Sequence, residues 1–155
     1  MLALLLVACE RGNDTGVAPA AATPPSGAGA ARPFDFGPVQ SAAQYLQEPR
    51  FAAADLDRGE LLSFACAACH KFAAGEGTLI GPSLHAVFGR PAGMVEGFAY
   101  SPALAGSGLV WTPQSLEAWL ADPANFVAGT TMAFSGYRSA EDRRDLIAYL
   151  LRVTQ

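Results

Sequence analysis

Positive charge is scarce in this chain of 155 residues. Lys71 is its only lysine, and ten Lys and Arg face fourteen Asp and Glu, for a net charge of −4. That balance offers no basic face to nucleic acid, so no nucleic-acid partner is expected. Long hydrophobic runs are missing too. The longest, MLALLLVAC at 1–9, is less than half of the ~20 residues that a spanning helix needs. There are three cysteines, an odd number, and two of them stand close together, which excludes an ordinary disulfide scaffold. No stretch alternates apolar and polar residues as a strand would. What remains is a chain 51% hydrophobic, enough at this length for one core, with an all-α fold expected.

The N-terminus reads as two segments without a core of their own. Residues 1–9 resemble a signal with a bacterial lipobox: LLLVAC is an apolar run ending in a small residue before Cys9. In that kind of signal the cysteine is lipidated and becomes the new N-terminus. Leu2–Ala8 only reaches the lower limit of an h-region, and no Lys or Arg precedes it. Residues 10–32 are mostly Ala, Gly, Pro, Ser and Thr without an aromatic. They cannot bury enough apolar surface to offset chain entropy, so a disordered tether is expected, with a root-mean-square span of roughly 25–30 Å.

Aromatics begin with Phe34, Phe36, Tyr45 and Phe51, and residues 33–54 read as an extension lying on the main domain, with Ser41 capping a short helix, the alternative being a loose arm ahead of the domain. The domain proper is expected over 55–155. DRGELLSFA, Asp57–Ala65, reads as a helix with an acidic start. In WTPQSLEAWLADP, Thr112 is a cap and Pro113 the first helical residue. Leu116, Trp119 and Leu120 then share a face, and Asp122-Pro123 ends the helix. SAEDRRDLIAYLLRV carries Ser139-x-x-Asp142, with Leu146, Tyr149, Leu150 and Val153 along one stripe. Gly- and Pro-rich loops join these helices, an arrangement that usually has something else at its centre.

That something is indicated by CAACH, Cys66–His70. Cys-x-x-Cys-His is the attachment signature of c-type haem. Two thiols three residues apart on a helical turn can form thioethers with the two vinyl groups on one haem edge, and the adjacent imidazole can ligate iron from one face. A redox dithiol would require a βαβ context, which is missing. A zinc site would need a fourth ligand beside Cys66, Cys69 and His70, with His85 the candidate. One motif implies one haem c, bound covalently through Cys66 and Cys69.

From about Asp57 to Val153 the chain resembles a class I c-type cytochrome of the mitochondrial and purple-bacterial type. CAACH, GPSLHAVFGR, GFAYSPAL, WLADPANFVAGTTMAF and DLIAYL occur in the family's order. The resemblance implies a few helices and long loops wrapped around one haem. It also implies that Pro82, in Gly81-Pro82, accepts the second ring N–H of His70 and strengthens it as a donor. Arg90, Tyr100, Trp111 and Thr130 match positions that hydrogen-bond the propionates. Trp119 matches an aromatic packed on the haem, Phe134 one at its edge, and Gly59 with Tyr149 the crossing of the terminal helices. Leu104 replaces a polar residue of the family, and the ring of lysines around the haem edge is largely absent.

Met132, Met94 and His85 are the candidates for the second axial ligand. Met132, in GTTMAF, matches the family's ligand loop, Met94 lies in a segment matching the propionate cover, and His85 is close enough to Pro82 that using it would pull apart the turn orienting His70. A His70/Met132 pair leaves iron no open position and favours Fe(II), which suits a one-electron carrier. The expectation is therefore an electron-transfer protein, not an enzyme: a monomeric periplasmic cytochrome, lipid-anchored through Cys9, passing electrons between respiratory or photosynthetic complexes. The alternatives are a haem-bearing accessory subunit of a larger oxidoreductase, and a gas- or peroxide-binding protein in which Met132 dissociates.

Overall fold

The structure is a computed structural model that describes residues 34–155. The lipobox-like segment with Cys9 and the tether expected over 10–32 lie outside the described residues. Among the described residues seven helices follow one another: α1 (Ala42–Leu46), α2 (Pro49–Ala52), α3 (Leu56–Ala67), α4 (Pro102–Ala105), α5 (Pro113–Ala121), α6 (Pro123–Phe126) and α7 (Ala140–Val153). Among the described residues there is no strand, only an isolated bridge between Pro91 and Val110. None of these helices is long and apolar enough to cross a membrane.

Side chains start most of the helices by accepting backbone N–H groups that a first turn leaves without partners. Ser41 with Gln44 and Thr112 with Ser115 form reciprocal capping boxes at α1 and α5. Asp55 caps α3, Ser101 caps α4 and Ser139 caps α7. The stop expected at Asp122-Pro123 is real but brief. Asp122 ends α5 and its carboxylate caps α6, so the chain turns a corner and makes one further turn of helix.

The core is built on α7. Leu146, Ile147, Leu150 and Leu151 are essentially inaccessible, and burying each such side chain contributes about 1.5–3 kcal/mol. α3 packs against α7 more extensively than any other pair of helices, followed by α5. The crossing is close because Gly59 has no side chain: a Cβ there would lie 2.8 Å from the Tyr149 Cβ and overlap the Asp145 carbonyl oxygen. Asp145 is buried at the same crossing. Its Oδ1 accepts from the Asp55 backbone N–H at 3.2 Å and from Arg144 at 2.6–2.8 Å.

Residues 34–54 form a strap across this core. Tyr45 and Phe51 are buried, α1 and α2 pack on α7, and Arg50 reaches Glu117 of α5 at 3.0 Å. Between α3 and α4 the chain has no helix. Its path is held by backbone bonds such as Leu84 N–H to Lys71 O (2.8 Å) and Ala92 N–H to Leu109 O (2.8 Å).

Candidate functional site

The attachment motif straddles the end of α3. Cys66 lies in the last turn, and the N–H groups of Cys69 and His70 both donate to its carbonyl, at 3.0 and 2.9 Å. This tight turn brings both thiols and the imidazole to one end of the helix. Both cysteines are free thiols. Burial, with Cys69 beside it, pushes the Cys66 thiol up to about 11, so at neutral pH it is a protonated, inert thiol rather than a redox-active thiolate.

His70 is fixed by the loop that follows. Its Nδ1 lies 2.7 Å from the Pro82 carbonyl oxygen, which assigns the ring proton to Nδ1 and leaves the Nε2 lone pair for a metal. Burial lowers the His70 pKa, partly opposed by the bond to Pro82, so the ring is neutral at pH 7, as a ligand must be. Gly81 makes this possible. Its N–H donates to the Cys69 carbonyl at 2.7 Å, and its bare Cα lies flat against the imidazole.

The segment after α6 runs extended. Thr130, Met132 and Phe134 are half-buried while Thr131, Ala133 and Ser135 are exposed, the two-residue alternation of an extended chain. Three of the expected site residues thus share one face. Gly129 allows the bend with φ +92°, and Thr130 Oγ1 accepts from the Met132 N–H at 3.3 Å. Met132 and Phe134 pack against the core cluster. Tyr137 closes the segment, its N–H donating to Leu120 O and its hydroxyl to Leu62 O of α3, at 2.7 and 2.8 Å.

The remaining site residues line the helix-free part. Trp119 is buried on α5 and meets Trp111 edge-on, with ring centroids 5.4 Å apart. Tyr100 is half-buried, packed edge-on with Phe98, and burial raises its pKa. Arg90 donates to the carbonyls of His85 and Ser83 at 2.8 and 2.7 Å, so two of its arms tie the loop after Pro82 together. Met94 is 63% exposed. His85 is half-buried, with its backbone N–H on Ser83 Oγ. Among the described residues no three His, Cys, Asp or Glu side chains converge on a point, so the zinc set of Cys66, Cys69, His70 and His85 is not assembled.

The donor set fits a haem c. Two unpaired thiols, a neutral imidazole aimed by Pro82, a thioether on an inward-facing loop and a set of half-buried aromatics are the groups such a macrocycle engages. Sequence reasoning missed Tyr137, whose only signal was its place just after the Met132 loop, and Asp145, a charge standing beside the apolar stripe of α7. It also gave no role to Phe126, which meets Phe34, Phe36 and Trp119.

No protein-family model matches the chain. It is 43% identical over 101 residues to cytochrome c of Stellaria longipes, an alignment covering 64% of this chain and 94% of that protein. With cytochrome c2 of Rhodoblastus acidophilus it shares 43% identity over 98 residues, 63% of this chain and 92% of the other. Among solved structures, cytochrome cH from Methylobacterium extorquens superposes with a TM-score of 0.58 at 43% identity, over 63% of this chain and 97% of that one.

Proposed function

Because the chain belongs to the class I c-type cytochromes, one-electron carriers with a single covalently bound haem c, we propose that it works in the periplasm, held at a membrane by lipid on Cys9. In this reading it passes electrons between membrane complexes. Cys66 and Cys69 would form the thioethers, and His70 and Met132 would ligate the iron. The observation that carries the site assignment is the 2.7 Å contact of His70 Nδ1 with Pro82, a bond that leaves Nε2 as the donor.

When bound, haem c supplies a one-electron couple at iron. The protein's own residues decide how that couple behaves. Pro82 holds the His70 proton on Nδ1 and keeps the ring from rotating. Met132 offers a neutral, polarizable sulfur, which favours the reduced state. Trp119, Trp111 and Phe134 keep water away, while Tyr100, Thr130 and the remaining donors of Arg90 and Trp111 are available to propionates. A carboxylate buried without such donors would cost several kcal/mol.

The anchor rests on Cys9 after LLLVA and on the core-less composition of 10–32. Two or more acyl chains, as a lipobox cysteine carries, hold a protein firmly where one chain alone is marginal. The test is a redox titration with optical spectra on protein purified from membranes, combined with mass spectrometry of its N-terminus. A low-spin, six-coordinate haem that survives acid-acetone extraction, and a lipidated Cys9, are expected. Extractable haem would overturn the site, and a mature N-terminus downstream of Cys9 would remove the anchor.

A further inference from the structure

We propose that Phe34 and Phe36 are positioning residues for the Met132 loop: by clamping Phe126 they hold the one-turn helix from which that loop departs, and so set how readily Met132 leaves the iron. The proposal rests on the reading of Met132 as axial ligand.

The loop has two anchors and little between them. At its far end Tyr137 is bonded to both Leu120 and Leu62. From Val127 to Met132 the bonds are local: Thr130 N–H to Val127 O at 3.0 Å, and Met132 N–H to Thr130 Oγ1. The near anchor is α6, a single turn of four residues. A helix of that length has no stability of its own, because nucleation costs more than one turn returns. Its place must come from its side chains. Pro123 and Val127 are buried, and between them Phe126 is half-buried.

The partners of Phe126 lie on two sides. Trp119 of α5 is 6.4 Å away, close to perpendicular. Phe34 is 5.0 Å away and Phe36 6.2 Å, both tilted by about 50°. The strap thus supplies the nearest ring and a second one behind it. The strap meets the body of the domain at several points, with Tyr45 and Phe51 buried in the core. Val39 packs on Gly89, its Cγ1 3.0 Å from where a Cβ would stand. Tyr45 accepts the Gln40 N–H through its buried hydroxyl at 3.0 Å, and Arg50 pairs with Glu117 of α5. The pair of rings on Phe126 is therefore held from the body of the domain. Every motif of the cytochrome resemblance lies C-terminal to the strap, so this clamp is an addition to the shared framework.

An added ligand such as imidazole can bind only when Met132 is off, so its apparent affinity follows the population of the open loop. Aromatic pairs stabilise a contact beyond the area they bury. Removing two rings should thus raise that population roughly tenfold.

The experiment is an imidazole titration of ferric holoprotein, with the near-infrared sulfur-to-iron band as readout. Phe34→Ala/Phe36→Ala should retain the band without imidazole and bind imidazole roughly tenfold more tightly and faster. Ile147→Val, which loosens α7 without touching α6, should lower the melting temperature and leave imidazole affinity near that of the unmutated protein. Unchanged affinity in the double variant, whatever its melting temperature, would overturn the proposal. If the double variant does not accumulate, Phe34→Leu alone decides in the same way, since it keeps apolar bulk and removes the ring pairing. A missing band in the unmutated protein would withdraw Met132 as ligand and the clamp with it, whereas an intact band with unchanged affinity overturns the clamp alone.

Discussion

Gly81 packs directly on the imidazole of His70: a Cβ built on it would lie 2.6 Å from Nδ1 and 2.9 Å from Nε2. The residue type is therefore set by the imidazole it touches. Gly81→Ala must push the ring off Pro82 or shift the loop, an overpacking that costs roughly 1–3 kcal/mol. The expected outcome is a lower yield of haem-loaded protein, with a weaker and shifted Soret band in what accumulates. A variant with unchanged yield and spectrum would mean that the turn relaxes freely around the ring.

Met132 and Met94 differ in a way that spectra can read. Met132 faces inward between Thr130 and Phe134, while Met94 is 63% exposed. Met132→Leu should abolish the near-infrared sulfur-to-iron band of the oxidised protein and Met94→Leu should keep it. Met132→His should lower the midpoint potential, because imidazole supports Fe(III) better; each ~59 mV corresponds to about 1.4 kcal/mol for one electron. A band that persists in Met132→Leu would assign the ligand elsewhere.

Asp145 offers a stability test away from the haem. Its buried carboxylate joins the start of α3, through the Asp55 N–H, to α7 and Arg144. Arg58 lies 4.0 Å from its other oxygen. Hydrogen bonds to a charged group contribute about 1.5–3 kcal/mol, so Asp145→Asn should lose about 2 kcal/mol in denaturant unfolding. The visible spectrum of the folded variant should stay as it was. An altered haem spectrum would show that the α3–α7 crossing also positions the motif.

Docking should depend little on salt. The chain is net negative with a single lysine. The residues flanking the motif in sequence include exposed Leu61 and Phe64 on α3 and exposed Leu79 and Ile80 just before Gly81. Electrostatic steering falls steeply with ionic strength, whereas apolar contact does not. Electron-transfer rates with an acidic partner should accordingly change less than about threefold between low and physiological salt. A decline of tenfold or more would reveal a charged docking patch.

The longer helices were legible because their signals are local. Thr112-Pro113 and the Leu116, Trp119, Leu120 face gave α5, and Ser139 with the apolar stripe gave α7. The helix expected over 57–65 proved longer, Leu56–Ala67, since Cys66 and Ala67 continue it without any apolar period to mark them. The one-turn helices α2, α4 and α6 were not legible. Four residues are too few for a 3.6-residue period to show, and packing rather than propensity holds them. In the site, the order of motifs pointed to Pro82 beside His70, and the contact is there. The two arms of Arg90 on Ser83 and His85 could not be read, because where a guanidinium points depends on a loop path that no local pattern encodes.

The crossing of α3 and α7 imposes an order of events on the newly made chain. The helix that carries Cys66 is closed by α7, and the Asp55 N–H waits for a carboxylate ninety residues later. During synthesis the attachment motif therefore emerges long before its packing partner exists. Contacts so far apart in sequence form late, after the entropy of closing the intervening chain has been overcome. Until then both thiols and the imidazole stand open to whatever installs the cofactor, whereas in the folded chain all three are half-buried. That order of contacts favours attachment in the open chain, before the C-terminal helix docks.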